Sequence, residues 1–163
     1  EMLRSLVGSE MCIRDSCIGD IMKLSTRSKY GLRAICYLAE NEDRGYIPVS
    51  EISENLDLSD NYLEQLIRLL KNANIVESTR GPKGGYKLVK KLDQITVGEV
   101  LRVLEGTFNV TGCLEDGSHC DNECRAYFAF NKLDEAINDT IDSITLDTMV
   151  NQNNRRIDEK LRS

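Results

Sequence analysis

Residues 57–89 read DLSDNYLEQLIRLLKNANIVESTRGPKGGYKLV. Leu63, Leu66, Ile67 and Leu70 fall at i, i+3, i+4 and i+7, one buried stripe of a helix over 60–72. Ser59 is a good N-cap, and Asp60 suits the positive end of the helix. The opposite face carries Asn61, Glu64, Gln65, Arg68 and Lys71. Upstream, Pro48 opens a short helix, since proline is tolerated in a first turn. Ile52 and Leu56 of that helix face inward, and Asp57-Leu58-Ser59 is the turn. Two short helices joined by a tight turn, the second with a polar outer face, form a helix-turn-helix. Downstream, a strand over 75–80, a turn at Gly81-Pro82-Lys83-Gly84-Gly85 and a strand over 86–89 make a β-hairpin with a basic tip, a wing.

Working outward, Tyr30, Ala34, Ile35, Leu38 and Ala39 share one face of a helix over 26–40. Cys36 lies in it and reads as a small core residue. Residues 41–45 are a polar break. Thr96-Val97-Gly98-Glu99 is a capping box for a helix that ends at Glu105, before Gly106. A loop over 107–124 precedes a long helix over 124–142, with Phe130, Leu133, Ile137 and Ile141 on one stripe. Such a helix needs a partner surface, and a second copy of the chain supplies one. Thr145 caps a last short helix over 146–150, and residues 151–163 read as a flexible polar tail. The fold class is mainly α with a small β wing. The organisation is a DNA-binding unit over 22–92, a cysteine loop and dimerisation helix over 93–150, and the tail.

The 163 residues carry a net charge of −6, unevenly spread. Residues 22–91 hold 12 Lys/Arg against 9 Asp/Glu, whereas residues 92–163 hold 7 against 14. A mildly basic front half fits a DNA-contacting module, and the acidic back half fits a solvated one. No apolar run approaches the ~20 residues that span a bilayer. One histidine, no phosphate-binding glycine loop and no nucleophile–base pair argue against an enzyme. Residues 1–21 lack a sustained period and read as a non-native extension, with Met22 as the start.

Six cysteines are present. The apolar helical patterns do not need disulfide staples, so reduced cytoplasmic thiols are the better reading. Cys113, Cys120 and Cys124 stand within twelve residues on the Gly-containing loop. Three thiolates there suit an iron–sulfur cluster, a thiol/disulfide switch or zinc. Zinc with His119 as fourth ligand is awkward, because His119 adjoins Cys120.

The strings MKLSTRSKYGLRAICYLAE, YLEQLIRLLKNANIVESTRGPKGGYKL, ITVGEVLRVLEG, the three cysteines and ITLDTMV, in that order, resemble the Rrf-type winged-helix transcriptional regulators. The resemblance covers about Met22 to Val150. It implies a homodimer on a long crossed helix, reading a near-palindromic operator in double-stranded DNA. It also implies that Cys113, Cys120 and Cys124 hold a two-iron or four-iron cluster, as in the cluster-sensing branches. The cysteine-metabolism branch lacks that trio. The gaps of six and then three residues depart from the nearly even spacing of well-known members. Tyr127 stands where the cluster-assembly branch has its ligand His, and Lys29 where the nitric-oxide branch has an Asp, so the fourth ligand is open and His119 is a candidate. The expected DNA-contacting set is Lys23, Ser59, Asn61, Tyr62, Glu64, Gln65, Arg68, Arg80 and Lys83. A cluster-free thiol repressor and a winged-helix docking module are the alternatives.

Overall fold

The computed structural model describes residues 24–81, 83–106 and 125–161. They form six α-helices and one two-stranded antiparallel sheet. The helices are α1 (Thr26–Glu40), α2 (Val49–Leu56), α3 (Asp60–Asn72), α4 (Val97–Glu105), α5 (Tyr127–Ser143) and α6 (Leu146–Leu161). The strands are β1 (Val76–Thr79) and β2 (Gly85–Leu88), paired Val76 to Leu88 through Thr79 to Gly85. None of the helices among the described residues is long and apolar enough to cross a membrane.

Local chemistry sets most of these boundaries. The Ser25 hydroxyl accepts the Ser28 N–H at 3.2 Å, the Ser59 hydroxyl accepts that of Tyr62 at 3.3 Å, and the Thr96 hydroxyl accepts that of Glu99 at 3.1 Å. Each satisfies one N–H that the first turn leaves without a partner. The expected capping box at Thr96 is half formed. The Glu99 carboxylate is engaged by Lys90 Nζ at 2.7 Å. Pro48 is the N-cap of α2 and Val49 its first helical residue. Asp57 ends α2 in the left-handed region at φ 55°.

One core holds the body together. Ile35, Leu38, Ile52, Leu63, Ile67 and Leu70 bury together with Ile75, Ile95, Val100 and Leu104. The core continues past residue 92, because α4 packs on α1. The junction of α5 and α6 docks on the same body. The Val97 N–H donates to the Ile144 carbonyl at 2.8 Å, the Leu146 N–H donates to the Ile95 carbonyl at 3.0 Å, and the Leu146 side chain is fully buried.

Two sequence expectations change. The helix expected over 146–150 continues to Leu161, so the described part of the expected tail is helical. Met149 and Val150 pack against the core, and the Asn153 amide reaches the Glu40 carboxylate at 3.3 Å. Cys36 is half-buried and lies outside the fully buried core.

The crossing of α1 and α4 is close enough to exclude a side chain at Gly31, where a Cβ would run into Leu104. Gly31→Ala is therefore expected to destabilise the fold by about 1–3 kcal/mol, as overpacking does. Urea unfolding followed by circular dichroism measures this, and an unchanged midpoint would contradict the close crossing.

Candidate DNA-binding surface

The helix-turn-helix is pinned from both sides of its turn. The Leu58 N–H donates to the Ser53 carbonyl at 2.9 Å. The Ser53 hydroxyl donates to the Asp60 carboxylate, tying α2 to the first turn of α3. With its apolar stripe buried, α3 turns Asn61, Glu64, Gln65, Arg68 and Lys71 to solvent, in line with the pattern read from the residues. Ser59 is exposed, and its hydroxyl keeps a hydrogen to donate while it accepts the cap bond.

Tyr62 differs from its fellows. It is half-buried, and its ring meets Tyr30 of α1 edge to face, with centroids 6.3 Å apart. The Arg33 guanidinium lies 5.4 Å from the Tyr30 ring centroid. Tyr62 thus holds α3 against α1 as well as bordering the outer face.

The wing is anchored by a pairing that the residue pattern did not reveal. The Ile47 N–H donates to the Tyr86 carbonyl at 2.9 Å, and the Tyr86 N–H donates to the Ile47 carbonyl at 2.8 Å. A Cβ at Gly85 would collide with the Ile47 carbonyl, so glycine is needed for this approach. On the wing's flank, Glu77 accepts from the Tyr46 hydroxyl at 2.9 Å and pairs with Lys87 at 2.9 Å. Hydrogen bonding to Lys87 and then Tyr46 holds the Glu77 carboxyl below its ordinary pKa.

The hairpin turn closes with the Gly84 N–H donating to the Gly81 carbonyl at 2.8 Å. Gly81 has φ 114°, a region that favours glycine. Arg80 and Lys83 are exposed at the tip. Tyr86 joins the wing to the recognition face. Burial raises its phenol pKa, the Glu64 charge adds to the rise, and the Arg68 charge opposes it. Tyr86 carried no functional assignment in the residue reading, and its place directly after the glycine-rich turn, at Gly84-Gly85-Tyr86, is the signal that points to it.

Glu64 and Arg68 of α3 thus lie close enough to Tyr86 of the wing for their charges to act on it. Lys23, Cys113, Cys120, Cys124 and His119 lie outside the described residues. Among the described residues, no group of three or more His, Cys, Asp or Glu is placed to hold a metal. Cys36 is the cysteine among them, and its thiol is free.

At its far end, α5 is fastened to α4. Arg102 makes a two-pronged contact with Asp142, at 2.6 and 2.7 Å, and donates to the Asn138 side chain at 3.0 Å. Hydrogen bonding from that guanidinium keeps the Asp142 carboxyl below its ordinary pKa. The near end of α5 leaves Tyr127, Phe128 and Leu133 exposed.

Comparison with known proteins agrees with this geometry. The family described as "Rrf2: Iron-dependent Transcriptional regulator" matches residues 24–152. The regulator CymR of Bacillus subtilis is 37% identical over 128 residues, covering 78% of this chain and 89% of CymR. The regulator IscR of Pectobacterium carotovorum is 34% identical over 131 residues, covering 80% of each. Among solved structures, T. potens IscR aligns with a TM-score of 0.68 at 34% identity, covering 80% of this chain and 88% of that one. CymR, the global cysteine regulator of B. subtilis, aligns with a TM-score of 0.70 at 34% identity, covering 80% and 98%. These relatives are transcriptional regulators, and the chain belongs to the Rrf2 family of helix-turn-helix transcriptional regulators.

Proposed function

We propose that this regulator acts in the cytoplasm as a homodimer on a near-palindromic operator, and that its cysteine trio reports iron–sulfur status, nitric oxide or redox state. The observation that carries the DNA reading is the uncovered polar face of α3 beside a wing tipped by Arg80 and Lys83. Ser59, Asn61, Gln65 and Arg68 have the donors and acceptors to read base edges in a major groove. Glu64 is an acid facing a polyanion, and it selects against wrong bases more than it adds affinity. Arg80 enters the neighbouring minor groove or grips its phosphates, and Lys23 and Lys83 add phosphate contacts.

For the sensing part, the donor set is the guide. Cys113, Cys120 and Cys124 offer three thiolates within twelve residues, a soft set that fits an iron–sulfur cluster. Bound there, a cluster supplies a centre whose state changes with iron supply, oxygen or nitric oxide. His119 is the candidate fourth ligand. A second reading is a thiol-based repressor without a cluster, since three cysteines within twelve residues can also pair as a disulfide.

The test of the DNA reading is a binding titration on duplex from the chain's own upstream region. Binding is expected to weaken steeply with salt. Arg80→Ala is expected to lose about 1–3 kcal/mol of it. A variant that footprints like the wild type would remove the wing from the interface.

A further inference from the structure

Between the wing and the start of α2 lies an open groove of about 420 Å³. Ser50, Lys71, Ser78, Arg80 and Gly84 are among its lining residues, and no Asp or Glu lines it. A groove lined by two cations and no carboxylate has the charge to attract an anion. Lys87, Lys90 and Lys132 each pair with a glutamate. Lys71 Nζ instead donates to the neutral Ser78 hydroxyl at 2.6 Å. That bond draws the ammonium to the wing, where Arg80 also lines the groove.

We propose that Lys71 seats a backbone phosphate of duplex DNA in this groove. The proposal rests on the reading of α3 and the wing as the DNA-facing surface. Lys71 continues the exposed stripe of Asn61, Glu64, Gln65 and Arg68 toward the C-terminal end of α3. With α3 in a major groove and the wing at the adjacent minor groove, the strand dividing the two grooves must cross the space between them. This groove borders that space, with Lys71 at the end of α3 and Ser78, Arg80 and Gly84 of the wing among its lining residues. A compact ammonium held by a hydroxyl suits one phosphate as a point charge and carries no base preference.

The experiment is a salt titration of binding to a mixed-sequence 30-base-pair duplex, followed by fluorescence anisotropy. It compares the full-length chain with Lys71→Gln, Lys71→Arg and Lys91→Gln. Lys91 lies outside the groove and controls for net charge. Lys71→Gln is expected to flatten the slope of log affinity against log salt by about 0.9 per protomer bound. Lys71→Arg is expected to keep the wild-type slope, and so is Lys91→Gln. An unchanged slope in Lys71→Gln, while the wild type binds with ordinary salt dependence, overturns the phosphate seat alone. Equal flattening by Lys91→Gln also overturns it, by showing a diffuse charge effect. A wild type that binds no duplex takes down the DNA-facing reading and the seat together.

Discussion

Replacing Phe128 and Leu133 together by Glu is expected to turn the protein into a monomer and weaken its hold on a two-half-site duplex by about 10²–10⁴-fold. Both residues are on the near half of α5, which contains no fully buried residue. Phe128 is 73% exposed and Leu133 52% exposed. Acidic side chains there cost the single chain little packing, so a loss of assembly reports on a partner surface. The far half of α5 is held to its own body through Asp142 and Arg102. The angle at which α5 leaves the DNA-binding unit is thereby set, and with it the spacing of two recognition helices in a dimer. Cutting the chain after Gly106 is a poorer test, because it also removes Leu146 from the core. Analytical ultracentrifugation reads the outcome. A double variant that still sediments as a dimer would place the interface elsewhere.

The second large effect concerns the cysteines. Protein purified without oxygen from iron-replete cells is expected to be coloured, and Cys113→Ala, Cys120→Ala and Cys124→Ala are each expected to bleach it. Two thiolates hold a cluster poorly, so the loss of any single member of the trio is expected to suffice. Cys36→Ala should keep the colour. Burial, with the Glu40 charge adding, pushes the Cys36 thiol pKa up to about 11. The thiol is then protonated at neutral pH and a weak ligand and nucleophile. Its alkylation by iodoacetamide should rise only as the pH approaches 11. Visible absorption with iron and sulfide analysis decides the cluster. Colourless, iron-free wild type after reconstitution would promote the thiol switch, and stoichiometric zinc would promote a structural metal.

Parts of this architecture are legible in the residues and parts are not, for physical reasons. The span of α3 is readable because Leu63, Leu66, Ile67 and Leu70 repeat at helical spacing and Ser59 caps them. The wing is readable because glycines bracket its turn. The Ile47–Tyr86 pairing is hidden, since it joins a single residue to a partner far along the chain and leaves no periodicity. The extension of α6 is hidden too. Residues 151–156 are all polar, and the contacts of Met149, Val150 and Asn153 that hold the start of the helix down are tertiary. Tyr62 reads as an outward-facing residue from its helix position. Its contact with Tyr30 depends on how α1 crosses α3, which local sequence does not specify.

The central claim is that a helix-turn-helix reader is governed through Cys113, Cys120 and Cys124. The most direct measurement is the anaerobic affinity for one duplex from the chain's own upstream region, taken for iron-replete wild type and for the variant with all three cysteines changed to Ala. The two affinities are predicted to differ by about 5–150-fold, the usual range of coupling between sites. Superimposable isotherms from a coloured wild type and a colourless variant would contradict the account.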